Sequence, residues 1–202
     1  MKIGVSASAS EVGEALRLFD YVETWDAPVQ GQAYHTRCDE TKLQGNFLYV
    51  VKHIDCPDLN FSGTGVVLYE NIYSITYEEF VKKLGSRMFL LDVGHAFISD
   101  MKSKGAFEIE KWLGLNPVAV HIHNVKYVPD PMGRYANAPY ADHQPLNEGL
   151  LNIRDVLSKI IKAGVEYITI EVFFKDYAPT KYALTQIKQW VDNIIKYIDN
   201  NA

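Results

Sequence analysis

Cysteine occurs only twice in these 202 residues, at Cys38 and Cys56, too few for a thiolate metal site. A basic excess is also missing. Lys and Arg total 20 against 25 Asp and Glu, a formal charge of -5, so no broad cationic face is available to a phosphate backbone and a nucleic-acid partner is disfavoured. No run approaches the roughly 18 apolar residues of a membrane span, and the opening MKIGVSASAS lacks the apolar core of a signal peptide. These absences predict a cytoplasmic protein with no membrane partner. They also predict that its two thiols are reduced and unpaired and that the Asn60-Phe61-Ser62 sequon carries no glycan. Repeats, charge blocks and low-complexity tracts are absent, so residues 1–202 are expected to form one domain, and 48% hydrophobic content is enough for one sizeable core.

Four short apolar runs share one design: each is bounded by turn residues and ends on a side chain able to bind a metal. They are VVLYE ending at Glu70, MFLLDVGH carrying Asp92 and His95, VAVHIH carrying His121 and His123, and YITIE ending at Glu171. Such runs of Val, Ile, Leu, Phe and Tyr read as strands buried on both faces, as in parallel sheets. The C-terminal strand ends of an α/β barrel converge on its active site, so Glu70, Asp92, His121 and Glu171 are expected to share a centre. Three carboxylates and an imidazole there call for a cation, because like charges in a pocket of low dielectric are otherwise costly. One divalent ion is predicted. Three oxygens and one imidazole suit Mn²⁺, Mg²⁺ or Co²⁺, whereas a His-richer set including His95 and His143 favours Zn²⁺.

Strands are expected at 2–6, 21–25, 47–54, 66–70, 88–92, 118–123 and 167–172. Helices are expected near 10–18, capped by Ser10, and over 76–84, 99–113, 151–163 and 180–198. Residues 26–46 read as loop, and the twelve residues between His53 and Val66 are too few for a packed crossover helix. Seven strands predict a TIM-type (β/α) barrel, shortened or irregular, cut back between its second strand and Val66. The apolar sheet that such a cut exposes is expected to be covered by a symmetric homodimer.

The motifs GVS at 4–6, YEN at 69–71, DVGHA at 92–96, HIHN at 121–124, HQPLNEG at 143–149 and ITIEV at 168–172 stand in a recognisable order. Together they resemble the xylose-isomerase-like TIM-barrel superfamily, which contains sugar isomerases, ketose 3-epimerases, hydroxypyruvate isomerase and endonuclease IV. The resemblance covers about residues 66–172. It implies that Glu70, Asp92, His121 and Glu171 hold the metal, that Glu70 and Glu171 form the acid–base pair, and that His95 contacts substrate. It also implies a turn after His143 in which Asn147 replaces the family's first glycine, a residue that tolerates positive φ. Two departures separate the chain from the endonuclease branch. That branch's Asp-Arg-His loop reads Ala141-Asp142-His143, and of its additional zinc histidines only His53 has a counterpart.

His123 shares a strand face with His121 by the period of two. With His143, Glu23 and His53 it is expected to line the substrate pocket. Each has a structural reading beside this one, Glu23 and His53 as hydrogen-bonding residues, His143 as an exposed loop histidine, Asp92 as the N-cap of the following turn. His35 reads as surface. Tyr127, Tyr135 and Tyr140 with Pro129, Pro131 and Pro139 crowd the segment after His123, where a barrel carries specificity for a small polar ligand. The leading expectation is a metal-dependent isomerase or epimerase acting on a small-molecule substrate, a sugar or hydroxy-carbonyl compound. The alternatives are a metal-dependent phosphodiesterase like endonuclease IV, which needs a cluster of ions, and a non-catalytic metabolite-binding barrel.

Overall fold

Eight parallel strands close into a barrel in a computed structural model that describes residues 1–128, 139–172 and 181–200. With all strands numbered along the chain, the barrel consists of β1 (Lys2–Ala7), β2 (Tyr21–Thr24), β3 (Ala33–His35), β5 (Val50–His53), β7 (Val67–Glu70), β8 (Phe89–Asp92), β9 (Ala119–Ile122) and β12 (Tyr167–Ile170), in that order around it. Outside it, β4 (Lys42–Asn46) pairs with β6 (Asn60–Thr64), and β10 (Asn124–Tyr127) forms a hairpin with β11 (Tyr140–Gln144). The helices are α1 (Val12–Ala15), α2 (Tyr77–Leu84), α3 (Val93–Lys104), α4 (Ile109–Leu113), α5 (Ile153–Lys162) and α6 (Lys181–Asp199).

The expected seven strands are thus eight. The missing one is β3, whose three residues, with only Ala33 and Tyr34 apolar, are too short to show a period. The irregularity is real and lies where the sequence places it: no helix follows β2, β3 or β5, and the β4–β6 ladder stands in their place. Tyr34, Leu43, Phe47 and Val50 pack there with Leu59 and Phe61 against them, so the chain itself covers this side of the barrel. The homodimer expectation therefore loses the surface on which it was built.

Two helix boundaries also move. Ser8, not Ser10, caps the first helical turn, with the Glu11 carboxylate accepting from its hydroxyl at 2.8 Å. The helix expected at 99–113 begins six residues earlier, at Val93, and breaks at Gly105, whose φ of 72° gives α3 a left-handed C-cap before α4.

Alternation sorts the strand residues. Ile168 and Ile170, Val120 and Ile122, and Leu91 face the surrounding helices, where Leu184, Ile187 and Val191 of α6 join the main core. The opposite set fills the barrel. Tyr21, Tyr49, Leu68, Leu90 and Ala119 pack together, with the Tyr21 and Tyr49 hydroxyls each 2.8 Å from Thr169 Oγ1. This hydroxyl layer is the floor on which the polar strand ends stand.

Cys38 and Cys56 are joined in a disulfide, against the expectation of two free thiols. The bridge ties the segment after β3 to the segment after β5 and, in the chain-entropy account, stabilises by about 3 kcal/mol for a loop of this length. Persisting disulfides belong to oxidising surroundings, so the cysteines no longer argue for the cytoplasm. Among the described residues no helix is long and apolar enough to cross a membrane.

Candidate metal centre

The strand ends bring Glu70, Asp92, His121 and Glu171 to one point. His121 Nδ1 lies 3.1 Å from Glu70 Oε1, 3.1 Å from Glu171 Oε2 and 3.9 Å from Asp92 Oδ2, and all four side chains are buried. Metal–ligand bonds of about 2.0–2.2 Å set neighbouring donors roughly 3–3.6 Å apart, a spacing that the two glutamates meet and that Asp92, at 3.9 Å, exceeds by a few tenths of an ångström. The surroundings supply counter-charges as well as donors: Glu70 Oε2 lies 3.2 Å from both His35 Nε2 and His53 Nε2, and Glu171 Oε2 lies 3.1 Å from His121 Nδ1, so the buried carboxylates are faced by imidazoles that a cation could replace as their partner.

The YEN and DVGH motifs interlock to build this point. The Asn71 side chain accepts from the Asp92 amide at 2.7 Å and donates to the Asp92 carbonyl at 2.9 Å, which fixes the end of β8 against the end of β7. Asp92 Oδ1 accepts from the His95 amide at 2.6 Å, so Asp92 is both the N-cap of α3 and a member of the centre.

His123 is fully buried and stands behind the pocket rather than lining it. Its Nδ1 lies 2.8 Å from the His143 amide and 3.1 Å from the Asn124 carbonyl, and its Nε2 lies 3.1 Å from Asp92 Oδ1. His123 therefore orients Asp92. Gly94 makes room for it, because a Cβ there would stand 1.9 Å from His123 Cε1. Gly94→Ala is expected to cost about 1–3 kcal/mol through overpacking and to weaken metal binding by moving Asp92. Thermal melts with and without Zn²⁺ check this, and a variant that melts like the wild type in both would show that His123 yields freely.

The remaining expected residues fall as follows. His53 and His143 line the pocket, half-buried. Glu23 is wholly buried below it, with His121 Nε2 2.8 Å from its Oε1. His143 Nε2 is 3.4 Å from Glu171 Oε2, and the residue holds a φ of 53°, a strained backbone for a histidine. Asn147 is not in the left-handed region, and the turn places its positive φ at Gly149 instead. Tyr135, Pro129 and Pro131 lie outside the described residues.

Two residues escape the sequence reading. His35, a surface residue by its sequence context, points inward from β3 with Nε2 3.2 Å from Glu70 Oε2, the same oxygen that His53 Nε2 approaches at 3.2 Å. Its signal is the apolar-run-ending-in-histidine design in its shortest form, Ala33-Tyr34-His35. Asp142, on β11, brings its carboxylate 3.5 Å from His95 Nε2 and 3.1 Å from His143 Nδ1, so an acid stands at this loop although its register differs by one residue from the endonuclease motif. With these, all six histidines of the chain belong to one centre.

Burial alone would push the His95 imidazole down, but Asp92, Asp142 and Glu70 outweigh it and hold it at about 9. The same contest lifts His35, dominated by Glu70, and lifts His121 and His143 well up. Burial would likewise raise the carboxylates, yet the facing imidazoles hold Glu70 and Glu171 well below the usual range and lower Asp92. In metal-free protein the raised His95 stabilises the fold fully below its unfolded value of about 6.5, and that stability is lost as pH rises through about 9. The lowered carboxylates act oppositely, stabilising above about 4.5 and losing it as pH falls. The melting temperature of EDTA-treated protein is thus expected to decline between pH 6.5 and 9, and a flat profile there would contradict a charged His95.

Above this layer lies a cavity of about 430 Å³, walled by Trp25, Thr36, Arg37 and Tyr73. No protein-family model and no curated protein matches the chain. Solved structures do. A D-tagatose 3-epimerase-like protein superposes with a TM-score of 0.64 at 13% identity, covering 100% of this chain and 99% of that one. The chain shares the barrel fold of that protein. An L-ribulose 3-epimerase gives a TM-score of 0.54 at 12% identity over 99% of this chain and 96% of its own. The TTHB071 protein from Thermus thermophilus, solved after soaking with ZnCl2, gives 0.52 at 14% identity over 96% of this chain and 99% of its own. Identities this low establish the barrel and leave the chemistry to the site.

Proposed function

We propose that the protein is a metal-dependent enzyme of the isomerase and epimerase kind, moving a proton on a small sugar or hydroxy-carbonyl compound. The observation that carries this reading is the convergence of Glu70 and Glu171 onto His121 at 3.1 Å each, from strands separated by β8 and β9, beneath a cavity of about 430 Å³. The 3-epimerases among the structural neighbours support it. A divalent ion held by Glu70, Asp92, His121 and Glu171 would polarise the carbonyl and hydroxyl of a substrate and so acidify the adjacent C–H bond. Glu70 and Glu171, reaching the cavity from different sides of the barrel, remove and return the proton. His95, on the cavity wall, donates to the oxygen on which charge develops. Substrate-binding contacts fall to His53 and His143, while Glu23 and His123 act from behind the wall.

The test is exchange. Metal-loaded protein incubated with ketoses and hydroxy-carbonyl compounds in D₂O is expected to incorporate deuterium beside the carbonyl, read by NMR. Absence of exchange across that panel would overturn the reading.

A second reading, phosphodiester hydrolysis at an ion cluster, has its own observation. Glu70 Oε2 meets both His35 and His53 at 3.2 Å, so Glu70 is placed to bridge two ions, and His95, Asp142 and His143 add further donors. Hydrolysis of bis(p-nitrophenyl) phosphate that depends on His53 would decide for it.

A further inference from the structure

Arg37 is the odd residue in the cavity wall. Among the described residues lining the space above the metal centre it is the sole Lys or Arg, set opposite the carboxylates of Glu70, Asp142 and Glu171. The residue is exposed, and among the described residues no carboxylate pairs with it: Asp26, Asp39 and Glu40 share a neighbouring hollow with Arg37 without closing an ion pair. What sets it apart from an ordinary surface arginine is the segment that carries it.

Residues 36–40 are fixed from three sides. The Val51 carbonyl accepts from the Thr36 amide at 3.0 Å and from the Thr36 hydroxyl at 2.8 Å. The Cys38–Cys56 disulfide ties the segment to the chain after β5. Lys52, a wholly buried residue of β5, donates to three backbone carbonyls of the same segment, Arg37 at 2.8 Å, Cys38 at 3.1 Å and Glu40 at 2.7 Å. A lysine is seldom fully buried, because an ammonium out of water is costly unless its three protons are satisfied. Here all three go to one loop. The backbone beneath the guanidinium is thus set before any ligand arrives, which lowers the ordering cost of binding. Arg37 follows His35 by two residues, so its Cα lies within about 7 Å of that of a side chain touching Glu70. A small ligand at the metal centre is within its reach.

We infer that Arg37 selects an anionic substrate, its guanidinium receiving a carboxylate or phosphate group of the sugar or hydroxy-carbonyl compound whose carbonyl end sits at the metal centre. The inference rests on the reading above that this cavity is the substrate site. The planar guanidinium offers either oxyanion two parallel N–H bonds. Without it, an anion would enter against Glu70, Asp142 and Glu171 with no cation but the metal.

The test compares ligands that share a skeleton and differ in charge. Dihydroxyacetone is neutral, dihydroxyacetone phosphate carries a phosphate and hydroxypyruvate a carboxylate; fructose and fructose 6-phosphate repeat the comparison on a longer chain. Each is titrated calorimetrically into Zn²⁺-loaded full-length protein, wild type and Arg37→Gln, an exchange at an exposed position that leaves the core untouched. Arg37→Gln is expected to weaken the phosphates or the carboxylate by about 10–100-fold, the worth of hydrogen bonds to a charged group, with the affinities for the neutral ligands and for Zn²⁺ unchanged. The anion that loses more identifies the group Arg37 receives. Equal anion affinities in wild type and Arg37→Gln overturn the inference, as do an equal loss for the neutral ligands and a wild type that binds none of the anions. Binding is read apart from chemistry. Arg37-dependent anion binding without deuterium exchange keeps this inference and overturns the proton transfer, whereas exchange on neutral ketoses with anion binding indifferent to Arg37 does the reverse.

Discussion

Replacing Glu171 by Gln is expected to leave the barrel folded and to lower turnover by more than the roughly 10²–10⁴-fold that a positioned acid–base group supplies. The substitution keeps the shape of a side chain that is only 4% exposed, so packing is undisturbed. What changes is charge. Glu171 is held anionic by His121 at 3.1 Å and His143 at 3.4 Å, and the amide turns an NH₂ group or a weaker acceptor toward those imidazoles. A ligand and a proton acceptor are lost together, which is why the loss should exceed that of either alone. The deuterium-exchange rate of the variant is the measurement. Exchange at the wild-type rate would remove Glu171 from the mechanism. Unimpaired ligand binding together with weak metal affinity would favour the non-catalytic barrel.

Stripping the metal is expected to produce the largest change in stability. An ion that binds the folded chain and not the unfolded one stabilises by about 4 kcal/mol when free metal is a thousandfold above its dissociation constant. A domain of this size shifts by roughly 2–4 °C per kcal/mol, so EDTA should lower the melting temperature by about 8–16 °C and Zn²⁺ or Mn²⁺ should restore it. Asp92→Asn is expected to lose most of that response, since Asp92 offers Oδ2 to the centre while Oδ1 caps α3. Calorimetric scans with and without EDTA provide the check, and superimposable scans would exclude a resident ion.

The centre is legible where the strands are long and doubly buried. Glu70, Asp92, His121 and Glu171 each close a run rich in apolar residues, and the parallel register sets them side by side, Asp92 opposite His121 on β8 and β9. Legibility fails where the chain builds barrel from little. β3 has two apolar residues, and the β4 and β6 segments KLQGN and NFSGT are mostly polar because they pair with each other outside the barrel. His35 is hidden for that reason alone. Asp142 is hidden by register: the β10–β11 hairpin delivers it to His95 from a position where the motif has another residue. The disulfide is invisible in the sequence because Cys38 and Cys56 meet only once β3 and β5 lie side by side.

Every imidazole in the molecule stands in one place, and that has a spectroscopic use. Protein labelled with ¹⁵N only in its histidine rings would show no signal from surface residues. All six side chains would report on the same few ångströms of space, and the shift of each nitrogen would read tautomer, protonation and ligation directly. Titrated with a diamagnetic ion, such a sample would tell in one spectrum which histidines bind, through which nitrogen, and in what order.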